Sequence, residues 1–239
     1  MRLDQAIAAR FPNISRRKAR ELIAARKVLV NERAVSIASR EVAEGDRIVV
    51  VEDAPRVAII RETDDWIAVN KPAGMPTQAT RDRKQRSLEE LLRLQYKSIY
   101  VVHRLDTPTS GVVLFARSSA AAARLSAMLS EMKKTYLVRT DPPIDRDVVI
   151  ESAIDGKPAR TLASKGGGEP PQSTVVIETG RTHQIRVHLA SIGHPVIGDR
   201  RYGGAKAARL MLHAWKLEHA ALGTLEAPPP DDLIRSPAG

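Results

Sequence analysis

At 239 residues with 43% hydrophobic side chains, the chain suits one medium domain or a small domain joined to a larger one. It contains no cysteine, which excludes disulfides and thiolate zinc sites and suits a reducing compartment. A net charge of +10 points to a polyanionic partner, nucleic acid foremost, while 3% aromatic residues exclude a sheet of stacking aromatics as the means of binding it. No run approaches the roughly 18 consecutive apolar residues of a membrane span, and the opening "MRLDQAIAARF" has no secretory pattern. A cytoplasmic protein without membrane attachment is expected.

The basic excess is concentrated at the front, where residues 1–50 hold 11 Lys or Arg against 6 acidic residues. "RLDQAIAARF" places Leu3, Ile7 and Phe11 at helical spacing. Ser15 then precedes "RRKARELIAARK", in which Ala19, Leu22 and Ile23 form an apolar stripe and Ser15 suits the N-cap. Arg16, Arg17, Lys18, Arg20 and Arg26 occupy the other faces; spacing alone leaves them either a solvated face or an RNA contact. "KVLVN" and "DRIVVV" read as short strands, with turns at Asn31 and Gly45-Asp46 and a break near "EDAPR". The segment from "RLDQAIAARFPNISRRKARELIAARKVLVN" to "VAEGDRIVV" resembles the α-L RNA-binding domain of a small-subunit ribosomal protein and several RNA-modifying enzymes. The resemblance implies a domain over 1–52 whose helix over 16–27 meets RNA, with Arg16, Arg17, Lys18 and Arg20 on phosphates. Such contacts position an RNA without reading its sequence.

Beyond this module, over 53–239, the elements lengthen. "RVAIIRETDDWIAVNKPAGMPTQ" reads as a strand, a turn at Thr63–Asp65, a second strand and a Pro/Gly-rich loop. "SLEELLRLQ", with a capping box at Ser87 and Glu90, and "SAAAARLSAMLSEM" are amphipathic helices. "KTYLVRT" and "STVVIET" alternate as strands, and "APPPDDLIRSPAG" looks like an irregular surface tail. In "GRTHQIRVHLASIGHP", Ile185, Leu189 and Ile192 share one face, so a helix is expected over 183–192, capped by Thr182 and ended by Gly193. His183 and His188 are five apart, about 140° round a helix, which argues against a shared metal ion. No metal site is expected.

"VVHRLDTPTSG", residues 101–111, runs from an apolar strand end into a turn, with His103, Arg104 and Asp106 between. On its own Asp106 suits a turn residue as well as a catalyst. Taken in order, however, "VHRLDTPTSGVVLFA", "KTYLVRT", "GRTHQIRVHLASIGHPVIGDRRYGG" and "LHAWKLEH" resemble the RluA family of pseudouridine synthases, and "NKPAGMPTQ" and "LEAPPPDDL" fit as well.

The resemblance implies an α+β chain: an α-L module followed by a catalytic domain with a mainly antiparallel mixed sheet flanked by helices. It implies isomerisation of uridine in RNA, without a cofactor. Asp106 is then the essential carboxylate, acting as nucleophile or as base for a sugar proton. Arg186 is its charge partner, and Tyr136 lies against the target base, where its hydroxyl could move a proton. A uridine in folded RNA must be flipped out; Arg104 could fill the vacated space, with His103 grouped with it as a substrate contact. Leu212 lines the uracil pocket or simply packs in the core. Pro108, where many relatives carry an acidic or polar residue, and the ending "GMPTQAT" depart from the family pattern and bear on substrate choice. The front module favours ribosomal RNA of the large subunit over transfer RNA; DNA is not expected, and a monomer is. A non-catalytic RNA-binding or assembly factor is the competing class, and a metal-dependent RNA hydrolase a third that lacks an acidic cluster.

Overall fold

A computed structural model describes residues 1–31, 33–50, 57–79 and 86–235. The chain divides into two compact units: Met1–Arg56 with Glu90–Ser98, and Val57–Glu89 with Ile99–Gly239. The expected boundary at 52/53 lies outside the described residues.

In the first unit, helices α1 (Leu3–Arg10) and α2 (Arg16–Ala24) accompany an antiparallel sheet of β1 (Val28–Val30), β2 (Arg33–Ala34) and β3 (Ile48–Val50), in the order β2-β1-β3. Leu3, Ile7, Ala19, Leu22 and Ile23 form its core with Val28, Val30, Val35 and Val42, so both helical stripes bury as their spacing requires. Ser15 caps α2 by accepting the Lys18 amide at 3.2 Å. The helix stops at Ala24 instead of running to Lys27. Arg26 turns left-handed at φ 56°, and the amides of Arg26 and Lys27 fold back on the carbonyls of Ile23 and Leu22. That is a Schellman ending, made here without the glycine that would have announced it.

The second unit is built on one mixed sheet. Its strands are β4 (Ala58–Glu62), β5 (Trp66–Lys71), β6 (Tyr100–Val101), β7 (Ser110–Ala116), β8 (Lys133–Val138), β9 (Val148–Ile150), β10 (Thr161–Ala163), β11 (Ser173–Ile177), β12 (Leu212–His219) and β13 (Gly223–Glu226). The order is β4-β5-β7-β12-β8-β11-β10-β9, with β13 on β12 and β6 on β7; every pairing is antiparallel except β7 with β12. Helices α4 (Ser119–Met128), α5 (Gln184–Ser191) and α6 (Asp231–Ile234) complete this unit, while α3 (Leu88–Gln95) is divided, all but its first two residues belonging to the first unit. Ala121 and Leu125 of α4 pack with Val112 and Leu114 of β7 in one core, while Ile185 and Leu189 of α5 join Val138, Val175 and Leu212 in another. The class expected from the motifs, α+β with a mainly antiparallel mixed sheet, is the class observed. None of the helices among the described residues is long and apolar enough to cross a membrane.

Two expectations need correction. The tail is not wholly irregular: α6 buries Leu233 completely, and Asp232 accepts both Arg209 Nε and Nη2, at 2.7 and 2.6 Å. Residues 236–239 of that tail lie outside the described residues. The turn after Asp106 is also shorter than expected, because Ser110 and Gly111 already belong to the fully buried β7.

The parallel join between β7 and β12 places the end of the Asp106 loop beside Leu212. Ser110 pairs with His213 and Gly111 with Ala214. Ser110 Oγ lies 2.9 Å from His213 Nδ1, and His213 Nε2 lies 3.1 Å from the Ala227 carbonyl. Burial lowers the His213 pKa and favours the neutral ring, whose one N–H suits Ala227 while Nδ1 accepts the Ser110 hydroxyl. Gly111 sits at φ 119°, where a Cβ would fall 2.1 Å from the Ala214 carbonyl oxygen. Gly111→Ala should therefore cost at least about 2 kcal/mol, from overpacking together with backbone strain. A lowered thermal unfolding midpoint checks this; an unchanged midpoint would contradict the close approach.

Candidate active site

The loop from His103 to Thr109 links β6 to β7, and its backbone is held on both sides of Asp106. The Thr77 hydroxyl donates to the Leu105 carbonyl at 3.0 Å and accepts the Leu105 amide at 3.2 Å. The Thr107 carbonyl accepts the Gly74 amide at 2.8 Å and Lys71 Nζ at 3.2 Å. Lys71 is fully buried and also donates to the carbonyls of Pro72 and Met75, at 3.1 and 2.6 Å. Three acceptors match the three N–H bonds of an ammonium group. Burial pulls its pKa down to about 7, and Asp106 opposes that fall. Within the loop, the Thr109 amide donates to the Asp106 carbonyl at 3.0 Å and closes the turn. The "NKPAGMPT" stretch is thus the brace of the loop that carries Asp106.

Helix α5 supplies the charge partner. Its entry is fixed by Gln184, whose Oε1 accepts the Arg181 amide at 3.1 Å and the Thr179 hydroxyl at 2.7 Å. Thr182 does not cap this helix. His183 occupies the N-cap position in the left-handed region at φ 56°, so α5 begins at Gln184. One turn in, Arg186 is 8% exposed and lies between two carboxylates. Its Nε and Nη2 donate to Asp199 at 2.7 and 2.9 Å, and Nη1 donates to Asp106 Oδ2 at 3.3 Å. Asp199 is fully buried and also accepts the amides of Arg201 and Tyr202. Burial pushes the Asp199 pKa up, but the hydrogen bond from Arg186 and these amides outweigh it and hold the carboxyl below its usual range. The Tyr202 ring lies 5.1 Å from the Arg186 guanidinium carbon, within cation–π range.

These elements surround a cavity of about 100 Å³, lined by Arg104, Asp106, Tyr136, His183, Arg186 and Leu212 among others. Tyr136 reaches it from β8 and Leu212 from the start of β12. Burial above all, and Asp106 second, hold the Tyr136 hydroxyl above its ordinary pKa, so it remains protonated. Arg104 is exposed at the rim and also lines a neighbouring cavity of about 400 Å³ together with Thr77, Asp106 and His183. His103 turns elsewhere. Its Nε2 accepts the Leu114 amide at 3.0 Å, and burial pushes its pKa down to about 4, with Lys134 adding to the fall. It secures the approach to β7 and is absent from the lining of both cavities. His188 likewise holds the scaffold, with Nδ1 2.9 Å from the Thr161 hydroxyl and Nε2 3.0 Å from the Ser152 carbonyl.

In the first unit, the four basic residues expected on RNA divide into two pairs. Arg17 is exposed, and Lys18 Nζ lies 3.9 Å from Glu21. Arg16 and Arg20 each donate Nε to the fully buried Asp4, at 2.9 Å, and remain 46% and 53% exposed. Arg2 joins them on the other Asp4 oxygen at 3.2 Å. Burial alone would raise the Asp4 pKa; the bonds from Arg20, Arg16 and Arg2 drive it far below the usual carboxylate range. Asp4 thus orients three guanidinium groups that still reach solvent.

A family model described as RNA pseudouridylate synthase matches residues 65–191, more than half the chain. The chain belongs to that family. A second model, described as S4 domain, matches residues 1–48. An uncharacterized RNA pseudouridine synthase of Aquifex aeolicus is 33% identical, over 84% of this chain and 77% of its own length. A ribosomal large subunit pseudouridine synthase D of Haemophilus influenzae is 31% identical, over 98% of this chain and 89% of its own. Among solved structures, human RNA pseudouridylate synthase domain containing 1 superposes with a TM-score of 0.60 at 27% identity, over 74% of this chain and 86% of that one. As an RNA pseudouridylate synthase the protein is an isomerase, with an N-terminal S4 module for RNA.

Sequence reasoning placed Asp106, Tyr136, Arg186, Leu212 and Arg104 as candidates, and the fold brings all five around the same cavity. It missed the residues that hold them. Asp199 stood inside the quoted stretch "VIGDRRYGG", where a Gly-Asp pair reads as a turn. Lys71 preceded a proline, as loop lysines do. As a test of positioning, Asp199→Asn keeps the shape but removes the charge that fixes Arg186. It should lower kcat for pseudouridine formation by about 10²-fold, the effect of a misplaced reacting group, while leaving KM for RNA nearly unchanged. A matched loss in KM instead would contradict a positioning role.

Proposed function

We propose that this enzyme converts specific uridines of large-subunit ribosomal RNA to pseudouridine in the cytoplasm, with Asp106 as the essential carboxylate. The observation that carries the assignment is Arg186, whose Nη1 meets Asp106 Oδ2 at 3.3 Å at the wall of a cavity shared with Tyr136 and Leu212. In this reading a flipped uracil stacks on Tyr136, an interaction worth about 1–3 kcal/mol per base, and rests against Leu212. Asp106 faces C1′, where the bond to N1 breaks and the bond to C5 forms. Arg104 at the exposed rim meets the RNA around the vacated position. Support for ribosomal RNA comes from the S4 module and from relatives named for the large ribosomal subunit.

The test is to treat ribosomal and transfer RNA transcripts with the protein and map pseudouridine at single-nucleotide resolution. New pseudouridine is expected in large-subunit RNA with the wild type and none with Asp106→Ala, while RNA binding persists. Activity surviving in Asp106→Ala would contradict the role of the carboxylate. Modification confined to transfer RNA would move the substrate assignment.

The S4 surface has its own measurement. Arg17→Ala with Lys18→Ala should weaken binding to ribosomal RNA. The slope of log affinity against log salt should also fall by about 1 for each phosphate that no longer meets a basic side chain. An unchanged slope would take these residues off the RNA.

A further inference from the structure

The reaction requires a proton to leave C5 after the base has turned, and for that step the family resemblance offers only the Tyr136 hydroxyl. We propose that His183 is a catalytic base that takes the C5 proton of the rotated uracil at Nε2. The inference rests on Asp106 acting at C1′ and adds a second reacting group to the same site.

Three observations of geometry carry it. His183 Nε2 lies 3.6 Å from Asp106 Oδ2, and the ring lines both the 100 Å³ cavity and its larger neighbour. Its other nitrogen is tied down: Nδ1 sits 3.0 Å from the Tyr202 hydroxyl, and the two rings meet edge to face at 5.8 Å. A Tyr202 oxygen that accepts Nδ1–H leaves the Nε2 lone pair directed at the cavity. The backbone is committed as well, because His183 holds φ 56° at a position where a β-region Thr, Ser or Asp would ordinarily cap the helix. Residues in sparsely populated backbone regions cluster at functional sites, and here the conformation aims an imidazole at Asp106.

Charge fits the task. Burial keeps His183 below its ordinary pKa, Arg186 and Arg201 push the same way, and Asp106 and Asp199 oppose them. The resting ring is therefore neutral and free to accept a proton, and the imidazolium that results lies beside the Asp106 carboxylate. Tyr136, also on the cavity wall, has its pKa raised by burial and by Asp106, so its hydroxyl keeps its proton and is the poorer acceptor.

The step balances. Once C5 has joined C1′, that carbon bears both the ribose and its hydrogen. The proton passes to Nε2, the C5–H pair restores the C5–C6 double bond, and the C6–N1 π pair withdraws to N1. N1 takes a proton from solvent, and His183 returns its own to solvent, so no oxidant or further reactant enters.

The experiment uses the full-length protein and large-subunit ribosomal RNA transcripts made with either ordinary or C5-deuterated uridine. His183→Gly and His183→Asn both accept the left-handed backbone, and circular dichroism with RNA-binding affinity monitors their folding. In single-turnover reactions both variants should slow by about 10²-fold or more, as loss of a general base does. A primary deuterium isotope effect should emerge that the wild type does not express, and added imidazole should restore His183→Gly. Full activity in the variants would overturn the inference while leaving Asp106 in place. So would a loss of activity with neither an isotope effect nor imidazole rescue. Wild-type protein that forms no pseudouridine on any RNA would instead overturn the underlying functional reading, and this inference with it.

Discussion

A buried guanidinium must be paired, and Arg186 at 8% exposure satisfies that requirement with two carboxylates at once. Asp199 takes the forked pair of N–H groups, in the bidentate geometry that a planar guanidinium favours. What remains is a single Nη1 aimed at Asp106. The division of labour matters: the bidentate pair fixes direction, and the single bond meets the carboxylate on the cavity wall. Helix α5, the turn that carries Asp199 and the loop that carries Asp106 are separate segments of the chain, and this one cation joins them.

The loop bearing Asp106 needs comparable support, because Asp106 itself is 29% exposed and packing alone would not hold it. Lys71 and Thr77 grip the carbonyls and amide on either side. Ser110 and His213 then lock the start of β7 to β12, the same strand that presents Leu212. A charged group buried for a backbone purpose is costly unless its bonds are complete, and Lys71 completes three. The brace and the loop that carries Asp106 are thus one hydrogen-bonded piece. The S4 unit uses the same device, with the buried Asp4 holding Arg2, Arg16 and Arg20 in fixed orientations that still reach solvent.

The apolar stripes of α1, α2 and α5 were legible because helical spacing and burial express the same geometry, except that Ile192, expected on the α5 stripe, follows the helix end and is 36% exposed. The motifs between residues 101 and 219 marked the cavity lining. What escaped were bonds that depend on chain crossing. Asp199 reads locally as a turn residue, and only the fold reveals its partner Arg186, 13 positions earlier. Asp4 counts in sequence as surface acid, yet it lies at the focus of three arginines. Helix ends set by left-handed residues other than glycine, Arg26 and His183, also went unseen, since side-chain identity gave no warning. His103 shows the converse error: adjacency to Asp106 in the motif implied a shared role, but its ring turns toward the Leu114 amide instead.

The central claim is that the cavity formed by Asp106, Tyr136, Arg186 and Leu212 receives one extruded uridine. A structure of the Asp106→Asn variant bound to its RNA tests it directly. The account predicts a uracil ring stacked on Tyr136 beside Leu212, with its C1′ within about 3.5 Å of the residue-106 side chain, as a near-attack geometry requires. An RNA bound with every base stacked outside, or a flipped base lodged away from these side chains, would contradict it.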